Sequence, residues 1–260
     1  MEFLNRHARL VLRLLWLAGI FVFAGIDHFL KGGKRWSSRQ RSLWQQRWSG
    51  RLLRGLGFEV TVRGAVPERG FIAPNHLSYM DIVVLASVTP QVFLSKSEVG
   101  DWPVVGYFTR IAGTLFIDRA RRADVANKEQ SFARVIEADL CMTFFLEGTS
   151  TDGRTVLPFR SSLLDPVVRN RWPITPAYLK YECEGGDPAN DVCWWGDMGF
   201  GEHLLRLCKV RRVKAEIVFG EKREPGDDRK QLALDLFADV QGLSERAMKR
   251  EATEAPSVAQ

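Results

Sequence analysis

The sequence has few of the residues from which disulfide frameworks, metal centres and serine-hydrolase sites are built. Its 260 residues include only four cysteines and four histidines. The cysteines form no C-x-x-C pair and no Cys/His cluster at zinc spacing, which is typical of reduced, buried thiols in a cytoplasm. The chain also lacks the G-x-S-x-G turn that carries the nucleophile of an α/β-hydrolase. We therefore expect neither a disulfide scaffold nor a metal site.

Positive charge is concentrated at the N-terminal end of the chain. Residues 1–58 carry eleven Lys and Arg against two acids, a balance of +9. Residues 59–260 carry 26 bases and 29 acids, a balance of −3. A partner that binds positive charge is therefore expected to meet the first 58 residues rather than the whole protein.

Two segments make up this basic region. Residues 10–30 are mostly but not entirely apolar. A helix needs about twenty apolar residues to cross a bilayer. Two possibilities therefore remain open: this segment spans the bilayer, or it only dips into it. Residues 35–57 combine Trp and Leu at helical spacing with Arg, which is typical of an interfacial helix on anionic lipid. The alternative is a basic helix that packs its tryptophans against the rest of the protein. Nucleic acid is not expected as a partner, because an apolar helix beside the basic run would serve no purpose there.

Residues 58–250 are predicted to form an α/β domain. Short β-rich runs alternate with helical patterns, which favours a mixed, mostly parallel sheet flanked by helices. Strands are predicted at 58–63, 70–73, 92–95, 114–118, 142–146, 174–181 and 213–219, and helices at 78–88, 122–140, 201–210 and 228–249. Residues 1–57 are expected to form membrane-associated helices before this domain. Residues 251–260 are expected to be a disordered tail.

A histidine and an aspartate follow the second predicted strand, in the stretch FIAPNHLSYMD. On one helix, His76 and Asp81 would point about 140° apart, so they can meet only if His76 precedes the helix. Pro74 and an N-cap at Ser78 favour that arrangement. Two interpretations remain on these residues alone. Asp81 caps a helix in an acidic capping box, or it orients His76, because imidazole is a base near neutral pH.

Polar side chains follow other predicted strands. The turn FFLEGT ends a buried strand with a carboxylate, which can hold substrate hydroxyls, and a glycine, which allows close backbone approach. Cationic side chains that can bind an anion end or follow further strands: Lys96, Arg119 and Arg160. Each of them alone is explained as solvated surface charge. Together they predict a ligand site where the carboxyl ends of the strands meet.

Five motifs follow one another along residues 70–180. They are N-H-x-x-x-x-D from Asn75 to Asp81, Lys-x-Glu from Lys96 to Glu98, G-x-x-F-I-x-R from Gly113 to Arg119, E-G-T from Glu147 to Thr149, and an apolar-Pro element from Ile174 to Pro176. In order and spacing they resemble the glycerolipid acyltransferase family, which includes bacterial 1-acylglycerol-3-phosphate acyltransferases. Leu146 stands where most members have proline, a difference in backbone rather than in chemistry.

The resemblance implies an enzyme that moves a fatty acyl group from acyl-CoA or acyl carrier protein to the free hydroxyl of a lysophospholipid. The first acceptor to consider is 1-acylglycerol-3-phosphate, which would become phosphatidic acid. His76 would be the catalytic base, and Asp81 would orient it. The residues implied to bind the acceptor are Lys96, Arg119, Glu147, Gly148 and Thr149. The thioester is a co-substrate, so no further cofactor is implied.

The resemblance also implies a membrane enzyme. Its N-terminal helices would seat it, as a monotopic or single-pass protein, on the cytoplasmic face of a bacterial-type inner membrane, with anionic lipids as partners. Three alternatives stay open. The acceptor could be another lysolipid such as lyso-ornithine lipid, water could replace the acceptor in an acyl thioesterase, or the chain could be a lipid-binding protein that has lost the activity.

Overall fold

The computed structural model describes residues 2–117 and 122–254, which form a seven-stranded sheet flanked by helices. The strands are β1 (Phe58–Arg63), β2 (Gly70–Pro74), β3 (Gln91–Lys96), β4 (Leu115–Ile117), β5 (Cys141–Thr143), β6 (Ile174–Glu184) and β7 (Arg212–Phe219). The α-helices are α1 (Glu2–Leu30), α2 (Ser38–Leu56), α3 (Met80–Val88), α4 (Val105–Ala112), α5 (Arg122–Glu137), α6 (Asp165–Arg169), α7 (Pro188–Asp191), α8 (Phe200–Leu207) and α9 (Arg229–Glu254). Short 3-10 helices lie at Gly33–Arg35, Ser97–Asp101 and Ser161–Leu164.

The sheet is mixed and mostly parallel, as the sequence predicts. Its strand order is β1-β7-β6-β2-β5-β3-β4, and only β6 and β7 pair antiparallel among the described strands. Strands β2, β5, β3 and β4 therefore point the same way, and their carboxyl ends meet at one edge. Strand β5 ends at Thr143, earlier than predicted, although the Phe144 amide still donates to the Ile72 carbonyl at 3.0 Å.

Each face of the sheet carries its own hydrophobic core. On one face, buried side chains of α2 and α3 pack on the strands, among them Leu53, Leu56 and Val84. On the other face, α5 and α9 pack Phe132 and Leu236 against the sheet. Neighbouring residues of β2 alternate between the two cores and all five are buried, as expected for a central parallel strand.

Helix α2 packs against the α/β domain. Its Trp44 is 3% exposed and packs beside Ala24 and Ala112. Its polar side chains bond the same domain, since the Ser42 hydroxyl donates to the Gln91 carbonyl at 3.0 Å. The expectation that the tryptophans of residues 35–57 face lipid is therefore wrong for Trp44. The helix has the alternative arrangement, because a helix rich in Trp and Arg can bury its aromatic side against protein as well as against a bilayer.

Helix α1 has one docked side and one open apolar side. Leu17 and Ile20 are buried against the domain. The Arg13 guanidinium donates to the carbonyls of Val210 and Arg211, which follow the C-terminal end of α8. Polar residues within the apolar segment therefore face protein. Large apolar side chains of the opposite side are exposed: Leu12, Leu15, Phe23, Phe29 and Leu30.

The C-terminal helix is longer than the sequence predicts. Helix α9 runs through Glu254, so residues 251–254, which were expected to begin a disordered tail, are helical. Ala and Glu are good helix formers, and they continue the pattern of the preceding turns. Residues 255–260 lie outside the part of the chain that the structure describes.

Candidate active site

The turn that carries the histidine lies between β2 and α3. Strand β2 ends at Pro74 and α3 begins at Met80, so His76 lies in the intervening loop, as predicted. Asn75 ties this loop to β6. Its side-chain amide donates to the Leu179 carbonyl at 3.0 Å, and its side-chain oxygen accepts from the Leu179 amide at 2.7 Å. The loop therefore leaves the strand at a fixed position.

Helix α3 begins differently from the predicted capping box. Tyr79, not Ser78, is its N-cap residue, and the buried Ser78 hydroxyl binds no described residue. The Asp81 carboxylate instead accepts the backbone N–H groups of Leu77 and Ser78, at 2.7 and 3.0 Å. Asp81, in the first turn of α3, thus accepts hydrogen bonds from amides that precede the helix. The Ser78 hydroxyl is therefore not needed as a cap.

Asp81 also holds the histidine. Its side chain is fully buried, and its Oδ2 lies 2.7 Å from Nδ1 of His76. Its Oδ1 accepts a hydrogen bond of 2.7 Å from the hydroxyl of Tyr181 on β6. Four donors therefore compensate for the loss of water around this carboxylate. Of the two interpretations left open by the sequence, the capping box does not form, whereas the contact between Asp81 and His76 does, and the same carboxylate also organises the loop.

The imidazole is held with one nitrogen free. Its ring stacks on Phe145, with centroids 3.9 Å apart and planes inclined by 23°. An ionised carboxylate can only accept, so Nδ1 of His76 carries the proton that points to Asp81. Nε2 on the opposite side of the ring is then an acceptor. The His76 side chain is 20% exposed, and no described residue hydrogen-bonds its Nε2. This nitrogen can take a proton from a bound hydroxyl.

Glu147 lies in the turn after β5 and is almost completely buried. The residue is 2% exposed, and neither carboxyl oxygen has a hydrogen-bond partner of good geometry among the described residues. The pKa of Glu147 is raised to about 8, mainly by burial and to a smaller extent by the charge of Asp81. The backbone amides of His76 and Leu157 lie near enough to offset part of that increase in pKa. An unpartnered carboxyl beside the histidine loop can bind a substrate hydroxyl.

The same turn is bonded to the histidine loop. The Thr151 amide donates to the carbonyl of His76 at 2.9 Å. Gly148 adopts the left-handed backbone conformation, with φ of +79°. Thr149 is exposed at the tip of the turn, where no described residue bonds its hydroxyl. The structure therefore places Glu147 and Gly148 beside the loop of His76.

Of the predicted anion-binding residues Lys96 and Arg119, the structure describes only Lys96. Lys96 is exposed at the last position of β3, two strands from β2 along the same edge of the sheet. Neighbouring strands lie about 4.8 Å apart, so the backbones of these two strands are separated by roughly 10 Å. Arg119 lies outside the described residues. Within residues 2–117 and 122–254, no three His, Cys, Asp or Glu side chains could together hold a metal ion.

Two parts of the site were not predicted from the sequence. Tyr181 is an apolar-face residue of a long strand, and nothing in its neighbourhood signals the bond to Asp81. Trp194 joins the His76 loop to the turn after Glu147: its amide donates to the Leu77 carbonyl at 2.8 Å, and its carbonyl accepts from the Ser150 hydroxyl. The aromatic sequence WWGDMG was a visible signal for Trp194, although it pointed to no chemical role.

Comparison with known proteins identifies the family. The Acyltransferase family model matches residues 58–180. The lyso-ornithine lipid O-acyltransferase of Rhodobacter capsulatus is 35% identical over 205 residues, which cover 74% of this chain and 72% of that protein. The chain belongs to this acyltransferase family. Among other relatives, the 1-acyl-sn-glycerol-3-phosphate acyltransferase of Neisseria gonorrhoeae is 27% identical, covering 59% of this chain and 60% of that protein.

A solved structure supports the same fold. The crystal structure of the 1-acyl-sn-glycerophosphate acyltransferase from Thermotoga maritima superposes with a TM-score of 0.69. The match covers 95% of this chain and 98% of that one at 17% sequence identity. The acyltransferase fold, including the N-terminal helices, is therefore common to the two proteins, while most side chains differ. The resemblance drawn from the five motifs is confirmed.

The buried Glu147 predicts a pH-dependent stability. In the folded acyltransferase its carboxyl keeps a proton up to about pH 8, whereas the unfolded chain releases it near 4.5. The folded state binds more protons in this window, so its stability falls as pH rises. Between pH 5 and 8 the free energy of unfolding should drop by roughly 3 kcal/mol relative to Glu147→Gln, and not fall further from this cause above pH 8. Denaturant unfolding followed by tryptophan fluorescence measures this difference.

The matched control for this prediction is Glu68→Gln. Glu68 is exposed before β2, so its substitution should leave the pH dependence of the wild type unchanged. A constant difference between wild type and Glu147→Gln from pH 5 to pH 8 would contradict a carboxyl that stays protonated in the folded protein.

Proposed function

We propose that this acyltransferase moves an acyl group from a thioester to the hydroxyl of an anionic lysolipid, with His76 as the catalytic base. The observation that carries the proposal is the 2.7 Å contact between Nδ1 of His76 and buried Asp81. It fixes the tautomer in which Nε2 accepts a proton, and it stabilises the imidazolium that then forms. The donor is acyl-CoA or acyl carrier protein, which serves as a co-substrate.

The reaction is a direct transfer. Nε2 of His76 removes the proton of the acceptor hydroxyl while its oxygen attacks the thioester carbonyl carbon. Electrons of the carbonyl bond move to its oxygen, and the tetrahedral intermediate then expels the thiolate. The imidazolium returns the proton to sulfur, so an ester and a thiol leave the site. The amides of Leu77 and Ser78 already bind Asp81, so they do not stabilise the oxyanion.

The acceptor hydroxyl must lie between the histidine and the E-G-T turn. Glu147 offers it a buried carboxyl with no other partner among the described residues, and this carboxyl lies next to the His76 amide. A hydrogen bond from substrate to that carboxyl would relieve the cost of burying it unpaired. Lys96 and Arg119 are proposed to attract the anionic headgroup, because both follow strands of the same edge.

Two acceptors have specific support. The greater identity to a lyso-ornithine lipid O-acyltransferase favours lyso-ornithine lipid, whose headgroup anion is a carboxylate. The similarity to a 1-acyl-sn-glycerol-3-phosphate acyltransferase supports the acceptor implied by the motifs, whose headgroup anion is a phosphate. Both molecules present a free hydroxyl near an anion, so the same base and the same cationic edge serve either. An assay in which the two acceptors compete for the enzyme measures which of them it prefers.

The enzyme is proposed to lie in one leaflet rather than to span the bilayer. The helix over Asn5–Leu30 is long and apolar enough to cross a membrane by length and composition. However, Arg13, Leu17 and Ile20 are docked on the α/β domain, so α1 cannot leave that surface without breaking its contacts. Its exposed apolar side then enters the lipid while the domain stays at the cytoplasmic face. The basic residues around α2 would contact anionic headgroups.

Thiol release tests the reaction. Purified protein in detergent should release thiol from oleoyl-CoA only when lyso-ornithine lipid or lysophosphatidate is added. His76→Ala should lower the turnover number at least 1,000-fold, because no other described group is placed to take the proton. The control His7→Ala changes an exposed histidine of α1 and should keep wild-type turnover. Release without acceptor would indicate a thioesterase, and full activity of His76→Ala would rule out the proposed base.

Vesicle binding tests the membrane placement. Leu15→Asp with Phe23→Asp places two charges on the open side of α1, where both side chains are 65% exposed. The double variant should lose most sedimentation with phosphatidylglycerol vesicles, because inserting a charge into the acyl region is costly. The control Leu234→Asp alters a residue of α9 that is 61% exposed and should sediment normally. Unchanged sedimentation of the double variant would show that α1 does not enter the lipid.

A further inference from the structure

The guanidinium of Arg160 lies directly on the turn that carries the buried Glu147. A Cβ added at Gly148 would be 2.9 Å from both Cζ and Nε of Arg160 and 3.1 Å from its Nη1. The guanidinium therefore covers the face of Gly148. The backbone of Arg160 is fixed beside the same turn, because its amide donates to the Leu146 carbonyl at 2.9 Å. From the sequence, Arg160 is one of the cations expected to bind an anion together with Lys96 and Arg119, although alone it is explained as surface charge. In the structure the residue is exposed, and its guanidinium lies against the turn of Glu147 and Gly148.

The charge of this arginine has no protein partner among the described residues. Other arginines nearby in the chain are paired: Arg154 with Asp152 at 3.4 Å, and Arg169 with Asp165 at 2.9 Å. No carboxylate within 4.0 Å of Arg160 is found in the described part of the chain. The carboxyl next to it in the turn, that of Glu147, keeps its proton up to about pH 8 because burial raises its pKa. An exposed fork of N–H donors thus lies on the turn after Glu147 without a counter-anion among the described residues.

We propose that Arg160 is a specificity-determining residue that binds the anionic headgroup of the acceptor, a phosphate or a carboxylate. The inference rests on the proposed transfer to a lysolipid and adds a residue to it. A guanidinium presents parallel N–H groups to two oxygens, a geometry that suits both anions. The lack of a Cβ at Gly148 is what lets the guanidinium lie against the turn.

The attachment of Arg160 to the turn that contacts the His76 loop favours the acceptor over the donor. Gly148 follows Glu147, whose carboxyl lies beside the His76 amide, and the Thr151 amide binds the His76 carbonyl. Arg160 is therefore fixed to the same turn that contacts the catalytic loop. In lysophosphatidate only two carbons and an oxygen separate the reacting hydroxyl from phosphorus. In acyl-CoA the whole pantetheine arm lies between the thioester and the phosphates, so those charges are out of reach while the thioester is at His76.

Kinetics of Arg160→Gln test this assignment in the full-length enzyme. The KM for lysophosphatidate or lyso-ornithine lipid should rise about tenfold or more, with little change in kcat or in the KM for oleoyl-CoA. The KM for monoacylglycerol, which has no anion, should be unchanged. Arg160→Lys should restore part of the loss, since it keeps the charge without the fork. The matched control Arg154→Gln removes a neighbouring arginine that is already paired. This variant should have the wild-type kcat and the wild-type KM for every substrate.

The outcomes separate this proposal from the proposed reaction. If Arg160→Gln raises the KM for only one of the two acceptors, the anion of that acceptor, phosphate or carboxylate, is the group that Arg160 binds. A higher KM for oleoyl-CoA, or equal losses with monoacylglycerol, would overturn the headgroup assignment. If the wild type turns over no acceptor, the reaction itself fails. Calorimetric binding of a short-chain lysophosphatidate and of a lyso-ornithine lipid still tests Arg160, because Arg160→Gln should weaken the binding of at least one of them about tenfold, and equal affinities for both would contradict the assignment.

Discussion

The active site depends on burying one ionised carboxylate. Asp81 is fully removed from water, and a bare carboxylate there would cost several kcal/mol. Four donors make its burial possible: two backbone amides of the preceding loop, the imidazole of His76 and the hydroxyl of Tyr181. These donors come from the loop after β2 and from β6, so the requirement to satisfy Asp81 fixes that loop against the sheet. The orientation of the base is a consequence of the same requirement.

A second constraint comes from polar residues of the N-terminal helices, which form hydrogen bonds and ion pairs with protein groups. Arg13 is buried because it donates to free carbonyls beyond the end of α8, and Asp27 bonds Lys31 and the indole of Trp48. These contacts assign one side of α1 to protein and leave the other side apolar. Side chains of α1 and α2 share one hydrophobic core with β2, the strand that leads into the loop of His76, so the candidate site and the open apolar side of α1 are joined through that core.

The sequence predicted what local rules and strand order determine. Pro74 places His76 before the helix, and the alternation of strands and helices predicts that His76, Glu147 and Lys96 share one edge of the sheet. It could not predict contacts that depend on long-range pairing, such as Tyr181 with Asp81, which are 100 residues apart. The sequence was also ambiguous wherever the same residue pattern is compatible with two environments. The aromatic side of α2 suits lipid or protein, a Glu-Gly-Thr turn can be solvated or buried, and Arg160 could be placed only once the turn was seen beside it.

The central claim is that Asp81 makes His76 a base. Asp81→Asn keeps the size of the side chain but lets an amide donate to Nδ1, which reverses the tautomer and removes the acceptor from Nε2. Single-turnover transfer of labelled oleoyl from CoA to the preferred lysolipid measures the chemical step directly. The account predicts a fall in its rate of about 10³- to 10⁴-fold with unchanged affinity for both substrates. A rate within a few-fold of wild type would show that the contact between His76 and Asp81 only shapes the loop.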